Sequence, residues 1–442
     1  MPDIGRREVL EKSSKATVGA GLAGLAGCLG DSGDGGDSGG GDGSDGGSSS
    51  SEPVTLGAAI SKSGQLAANG KAFSDGYNAF VRWLNEENGG LNVGGETREV
   101  ELIEYDDESN CETAVRLVTR LIEEDDADII LGPYSSGCVY ATVPAVKQRN
   151  KVMIQGSGIA DRIFEDHNQD NVWVFGTTPP ASLYIQGSVA FPAENGAESL
   201  GMFSDQGTFA QSLRAGAKAE AERQGMEILV DETVPQDARD LSSPIQKMVD
   251  AEPDFVMFNT HLELSVLAQR AAKEQGLSPE LVYGGSGVSE TEYWDALGGD
   301  ALDTNYYTTW SPEIEISGNP PFMGNQQAIE FYGGYAEGSD SLDPVSSRRI
   351  SGMQVIQVAA WAIEEAGTTD NDAIREALLS ADFTGIFGVD INFQDDGTLQ
   401  QGGFTGQIQG KTEQPIVYPG NVATGEPTYP RRPWDHDVRQ QE

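Results

Sequence analysis

Apolar and polar positions repeat with one rhythm from residue 54 to about residue 310. A short continuous apolar run is followed by a small-residue or Pro/Gly break, then by a longer stretch whose apolar residues fall three and four apart. The first kind reads as a buried strand and the second as an amphipathic helix. Strands are expected at Val54–Ile60, Val100–Tyr105, Asp128–Leu131, Val152–Ile154 and Asn171–Gly176. Helices are expected at about Ala72–Asn85, with Phe73, Tyr77, Phe80, Val81 and Leu84 inward, at about Cys111–Glu124, and from about Val139. Thr177-Thr178-Pro179-Pro180 is a hinge-like break, and a second series starts after it. Its strands fall near Ser199–Phe203, Glu227–Val230, Phe255–Asn259 and Leu281–Tyr283, with helices at Phe209–Gln224, Ser243–Ala251 and Leu264–Glu274. Thr304–Trp310 reads as a further strand, broken at Ser311-Pro312. Helical patterns at about Asn325–Tyr335, Ile350–Ala366 and Asp370–Leu379 follow, then strands at Val389–Phe393 and Gln407–Gln409. Strand–helix alternation at this spacing implies parallel sheets with right-handed crossovers.

The breaks after the strands are built from small and polar residues. Gly132-Pro133 leads into Ser135-Ser136-Gly137, and Val152–Ile154 leads into Gly156-Ser157-Gly158. In open α/β sheets, ligands sit outside the carboxyl ends of the strands, where backbone N–H groups and helix N-termini point at them. Ordinary βα turns with good N-caps would carry the same residues. Nothing in the chain assembles a catalytic set. His167, His261 and His436 lack metal-ligand spacing, and neither a Gly-x-Ser-x-Gly elbow nor a phosphate loop occurs. The chain is not expected to be an enzyme, nor to hold a metal or cofactor.

Composition adds the setting. At 442 residues the chain is too long for one compact core, so two lobes are expected. Seventy acidic against 28 basic residues exclude nucleic acid or an anionic membrane as a direct partner of the folded body. A haloarchaeal origin is the simplest explanation of that excess, with an acidic mesophilic protein as the alternative. Arg6-Arg7, the weakly apolar run Ala16–Gly27 and Leu25-Ala26-Gly27-Cys28 resemble a Tat-type lipoprotein signal over residues 1–28. Cleavage before Cys28 would place a lipid-modifiable thiol at the new N-terminus. Residues 29–52 are Gly, Ser and Asp with almost nothing apolar, a charged tether with a reach of about 25–30 Å. Cys111 and Cys138 remain, free to pair in an oxidising compartment.

Several segments, in order, carry a resemblance. They are GAAISKSGQLAANGKAFSDGYNAFVRWLNEENGGLNVGG, VELIEYDDESNCETAVRLVTRLI and IILGPYSSGCVYATVPAVKQRNKVMIQ. Together these resemble the branched-chain amino acid type of periplasmic binding protein, the type I substrate-binding proteins of ABC importers. The resemblance implies an α/β fold of two doubly wound parallel-sheet lobes joined by a multi-crossover hinge. Lobe 1 would be 53–178 with about 312–385, and lobe 2 would be 179–311 with about 386–442. It implies an extracellular protein, held to the outer face of the membrane only through a lipid at Cys28. This protein would capture a small amino-acid-like or other carboxylate-bearing solute by hinge closure and deliver it to ABC permease subunits. A ligand-sensing domain of a signalling system shares the fold and is the alternative. Family members can link the regions of Cys111 and Cys138 by a disulfide, although both cysteines are displaced by two or three positions from that pattern.

The same resemblance implies the site. The ligand carboxylate would be received by Ser135, Ser136 and Gly137 and by Ser157, Gly158 and Ile159, with Ile159 standing where the family usually has Thr. Tyr184, Phe209 and His261 would supply walls. The family's acidic partner for a ligand ammonium aligns near Ser286. Glu263, Glu290 and Glu292 lie close enough in sequence to bring an acid by another route. These departures leave amino acids, aromatic acids and amides all open as ligands.

Overall fold

The computed structural model describes residues 52–169, 171–314, 318–337 and 345–434. The expected signal with Cys28, nearly all of the expected tether and His436 lie outside the described residues. The first half runs β1 (Val54–Ile60), α1 (Ala67–Glu86), a hairpin of β2 (Leu91–Val93) and β3 (Glu96–Arg98), β4 (Val100–Asp106), α2 (Cys111–Glu123), β5 (Ile129–Leu131), α3 (Ser136–Lys147), β6 (Met153–Gln155), α4 (Arg162–Glu165) and β7 (Val174–Gly176). Its sheet has the order β4-β1-β5-β6-β7, every pair parallel. The chain passes from β4 on one side of β1 to β5 on the other, so the winding reverses between β1 and β5. The loops after those two strands diverge at that point and open a crevice.

The second half continues with α5 (Ala181–Tyr184), α6 (Gln186–Glu194), β8 (Ser199–Asp205), α7 (Thr208–Gln224), β9 (Glu227–Val234), α8 (Ser242–Ala251), β10 (Phe255–Asn259), α9 (Leu262–Glu274), β11 (Leu281–Tyr283), α10 (Thr291–Leu297) and β12 (Thr304–Thr308). Then come α11 (Asn325–Glu337), α12 (Ser347–Ala366), α13 (Asn371–Leu379), β13 (Phe383–Thr384), β14 (Asp390–Ile391), β15 (Phe404–Gln407) and β16 (Ile416–Tyr418). The second sheet has the order β16-β15-β12-β11-β10-β8-β9. Its core is parallel with the same reversal, here between β8 and β10. β15 and β16 add an antiparallel edge that strand–helix periodicity does not announce. The fold is α/β in two lobes.

Three expected elements differ. The strand expected at Gln407–Gln409 lies earlier, as β15 (Phe404–Gln407). α3 begins at Ser136 rather than near Val139, so Ser136 and Gly137 are the helix's first turn and Ser135 is its N-cap position. The strand expected at Val389–Phe393 shrinks to β14, paired only with β13 in a separate two-stranded ribbon. The stretch after it stays with the first sheet: Phe393 packs its ring 5.1 Å from Phe175, and the Gly176 amide donates to the Gly397 carbonyl. The chain rejoins the second sheet only at Phe404. Cys111 and Cys138 are joined by a disulfide that fastens the start of α2 to the first turn of α3.

α12 organises the first lobe. Almost all of it is buried, including Gln354 and Gln357, and it lies along α1. The two helix backbones touch: a Cβ added to Gly76 would stand 2.1 Å from the Arg349 carbonyl oxygen, and one added to Gly352 would stand 2.5 Å from that of Phe73. This approach sets where the N-terminus of α12 emerges, which is the place where Arg348 and Ser351 reach the cleft.

Candidate functional site

Loops from both reversals meet across a cleft. From the first sheet come Tyr134 and Ser135 after β5, and Gly156, Ser157 and Ile159 after β6. From the second come Phe209 at the start of α7, His261 after β10, Ser286 after β11 and Tyr307 on β12. Tyr184, Thr178, Phe387 and, from α12, Arg348 and Ser351 complete the wall. The enclosed cavity is about 20 Å³, room for roughly one water. It adjoins a wider chamber of about 550 Å³ that shares Ser135, Phe209 and His261 and is lined further by Gly137, Asp205 and Glu263.

The lobes touch through side chains. Arg348 Nη2 donates to Ser286 Oγ at 2.6 Å, and the Tyr134 hydroxyl lies 3.3 Å from the same oxygen. The Tyr134 and His261 rings meet edge to face at 6.1 Å, and Phe209 stacks on His261 at 4.8 Å. Ser212 donates to Asp161 at 2.7 Å, with the Ser182 hydroxyl on the same carboxylate. Beside the cavity, Arg349 lies 3.3 Å from Asp75 and 3.8 Å from Glu290. Burial, offset in part by Arg348 and Arg349, raises the Glu290 pKa.

The structure brings together Ser135, Ser157, Ile159, Tyr184, Phe209, His261 and Ser286 around the inner cavity. Gly137 lines the outer chamber, while Ser136 and Gly158 line neither. In the second Ser/Gly loop, Ser157 and Gly158 do not hold out free donors. Gln155 Oε1 accepts the Ser157 amide at 3.0 Å and the Gly158 amide as well. Ser136 Oγ accepts the Ile159 amide at 3.1 Å and the Ala160 amide at 3.3 Å. The Ser157 hydroxyl donates to the Pro133 carbonyl at 2.9 Å. Ser136 and Ser157 thus stitch one loop to the other. Glu290 lies beside both Arg348 and Arg349, Glu263 lines the outer chamber, and among the described residues no carboxylate lines the inner cavity.

Tyr134, Thr178, Tyr307, Arg348, Ser351 and Phe387 are cavity residues that the sequence reading missed. One signal was present for Arg348: two adjacent arginines open an apolar helix in a chain poor in cations, at the end where the helix dipole disfavours positive charge. Burial opposes the Arg348 charge, but Tyr134, Tyr184, Glu290 and Tyr307 around it raise its pKa overall. Four buried polar atoms of cavity residues have no hydrogen-bond partner: Arg348 Nε, His261 Nδ1, the Tyr307 hydroxyl and Ser351 Oγ. Unpaired buried polar atoms cost free energy, and this cluster is where a polar ligand would repay it.

His261 keeps part of its surface at the cleft, yet burial of the ring, and then Arg348, lowers its pKa to about 4. The ring is therefore neutral at pH 7. An unfolded histidine takes its proton near pH 6.5, so the unfolded chain binds more protons between about pH 6.5 and 4. Stability then falls as pH drops through that window. Asp205, raised to about 6 chiefly by burial, acts oppositely, because its share of stability is lost as pH rises from about 4 to 6. His261→Gln removes only the first component. Between pH 7 and pH 4 the variant is expected to lose about 2–3 kcal/mol less than the parent, read from urea titrations. Parallel losses in the two proteins would mean that His261 titrates freely.

A profile of the periplasmic binding protein family matches residues 53–413. Leu/Ile/Val-binding protein homolog 7 of Brucella suis is 23% identical over 397 residues, covering 86% of this chain and 95% of the relative. The leucine-, isoleucine-, valine-, threonine- and alanine-binding protein of Pseudomonas aeruginosa is 23% identical over 362 residues, covering 81% and 90%. Among solved structures, the branched-chain amino acid transporter protein LivJ of Streptococcus pneumoniae, in complex with isoleucine, superposes with a TM-score of 0.70 at 18% identity, covering 82% of this chain and 97% of that one. An ABC transporter solute-binding protein of R. palustris in complex with benzoate gives 0.68 at 18% identity, covering 84% and 96%.

Proposed function

The chain belongs to the periplasmic binding protein family, and on that premise we propose that it is the extracellular solute-binding protein of an ABC importer. It captures one small amino-acid-like or other carboxylate-bearing solute between two lobes and passes it to membrane permease subunits. The observation that carries this reading is the cleft itself. Loops from the reversal points of two parallel sheets converge on one cavity, and that cavity is rimmed by buried polar atoms without partners. The relatives' names, with amino acids and benzoate as their ligands, support the solute class. We take lobe 1 as 53–178 with about 312–385 and lobe 2 as 179–311 with about 386–442, with the stretch around Phe393–Gly397 leaning on β7. Closure of the lobes excludes water and strengthens each polar contact inside.

The setting belongs to the same proposal. The Arg6-Arg7 start and Leu25-Ala26-Gly27-Cys28 support a Tat-exported lipoprotein held at Cys28. The acidic excess supports a haloarchaeal, salt-adapted surface. The test is a thermal-shift screen of the full chain in high salt against amino acids, aromatic acids, amides and sugars. A ligand present at about 100 times its Kd adds about 2.7 kcal/mol to the native state, so a clear rise in Tm is expected from at least one carboxylate-bearing compound. If no compound in any class raises Tm, solute capture is the wrong reading.

A further inference from the structure

We infer that the ligand is an aromatic monocarboxylate whose carboxylate pairs with the Arg348 guanidinium, and that the Ser/Gly loops shape the wall without receiving the charge. This deepens the solute-binding proposal and rests on it. The loops are the place to look for a carboxylate receptor, but the amides of the second one are already spent. Those of Ser157 and Gly158 go to Gln155, and those of Ile159 and Ala160 go to Ser136. A carboxylate arriving there would have to break bonds that are already buried and paired, and Ser136 and Gly137, whose amides open α3, do not line the inner cavity. Arg348 stands differently. Among the described residues it is the only cationic side chain of the inner cavity, and its Nε has no partner. Its single bond across the cleft is to a neutral hydroxyl, Ser286, a weak partner for a planar fork that matches a carboxylate in two parallel bonds.

The same cavity argues against an α-amino acid. An α-ammonium sits one carbon from the carboxylate, so it stays in the inner chamber when the carboxylate is on Arg348. Among the described residues no carboxylate lines that chamber; Asp205 and Glu263 belong to the adjoining one. Six of the remaining wall residues are aromatic: Tyr134, Tyr184, Phe209, His261, Tyr307 and Phe387. Such rings offer faces and edges to another flat ring, while the unpaired Tyr307 hydroxyl, Ser351 Oγ and His261 Nδ1 are free for carboxylate oxygens or ring hydroxyls. At about 20 Å³ the cavity admits nothing of that size while Arg348 reaches Ser286. Entry therefore requires that bond to break as the lobes part, and the guanidinium then exchanges the hydroxyl for the acid.

Calorimetry on the full chain, at one fixed salt concentration, tests this with benzoate, 4-hydroxybenzoate, benzamide, L-leucine and L-phenylalanine. An aryl carboxylate is expected to bind at least 100-fold tighter than benzamide, its neutral near-isostere, and at least tenfold tighter than either amino acid. Arg348→Gln is expected to weaken the carboxylate at least 100-fold, and Arg348→Lys, which keeps the charge but not the fork, by less. Circular dichroism and Tm of both variants check that they are folded. The benzamide comparison needs no variant and decides the charge requirement by itself. Tighter binding of L-leucine, or equal binding of benzoate and benzamide, overturns the inference and leaves solute capture standing. Unchanged carboxylate binding by folded Arg348→Gln overturns the role of Arg348. Silence from all five probes, together with no response in the wider thermal screen, overturns solute capture itself.

Discussion

Gly76→Ala is expected to destabilise the protein by about 4 kcal/mol and to weaken ligand binding, although residue 76 touches no cavity. The new Cβ would lie 2.1 Å from the Arg349 carbonyl oxygen and 3.0 Å from the Met353 amide. Both are backbone atoms of a buried helix and cannot rotate away. α1 and α12 must then separate by something like an ångström along a seam where Phe73, Tyr77 and Phe80 pack against Ile350, Met353 and Ile356. Interiors packed at crystal density do not take up such a shift without opening voids elsewhere. Arg349 adjoins Arg348, so the displacement reaches the cleft directly. Gly334→Ala is the control. That glycine lies at an exposed position of a partly buried helix with no atom near the added methyl, and the substitution should stabilise by about 0.5–1 kcal/mol. Chemical denaturation and Tm measure both variants. Equal stability of Gly76→Ala and the parent would show that the two helices are not held at backbone contact.

Much of this architecture is legible along the chain, because short apolar strands and helical stripes alternate with little ambiguity from Val54 to Thr308. What periodicity misses lies where the chain leaves that rhythm. β15 and β16 are short strands in a Gly- and Gln-rich stretch, and they pair antiparallel, so no crossover helix announces them. The cleft was legible in part. Ser157, Phe209, His261 and Ser286 follow strands directly, and strand ends must converge on the crevice. Arg348 follows no strand. It reaches the cavity because α12 runs along α1, a packing between segments more than 260 residues apart that no local pattern encodes. The bonds that Ser136 and Ser157 make within the loops were not legible for a related reason. A strand-end Gln155 looks like any polar residue until the fold turns its amide back on the loop that follows it. The capacity of a loop to donate to a ligand depends on which donors its own neighbours have already taken.

The other large effect is expected at two glutamines with no surface exposure. On α12, Gln354 and Gln357 interrupt an otherwise apolar face, and each is bonded to segments distant along the chain. Gln354 Nε2 donates to the Thr177 carbonyl at 2.8 Å, just after β7, and its Oε1 accepts the Phe387 amide at 2.8 Å, between β13 and β14. Gln357 Oε1 accepts the Ile386 amide at 3.0 Å, and its Nε2 donates to the carbonyls of Pro321 at 2.7 Å and Met323 at 3.2 Å, just ahead of α11. One helix therefore fastens three separate stretches of the chain. Gln354→Leu keeps the volume and removes both bonds, leaving a buried carbonyl and a buried amide unpaired at about 1–3 kcal/mol each. The loss expected is about 2–5 kcal/mol. Adding Gln357→Leu should cost less than the sum, since both side chains hold the same Ile386-Phe387 pair. Hydrogen exchange locates the effect: the Ile386 and Phe387 amides should lose protection by several powers of ten more than the amides of β10. If exchange speeds up equally in both places, the glutamines support the core as a whole and have no special hold on this segment. A selective loss at Ile386 and Phe387 would instead mean that α12 anchors the segment that brings Phe387 to the cavity wall, with Arg348 carried at the cleft end of the same helix.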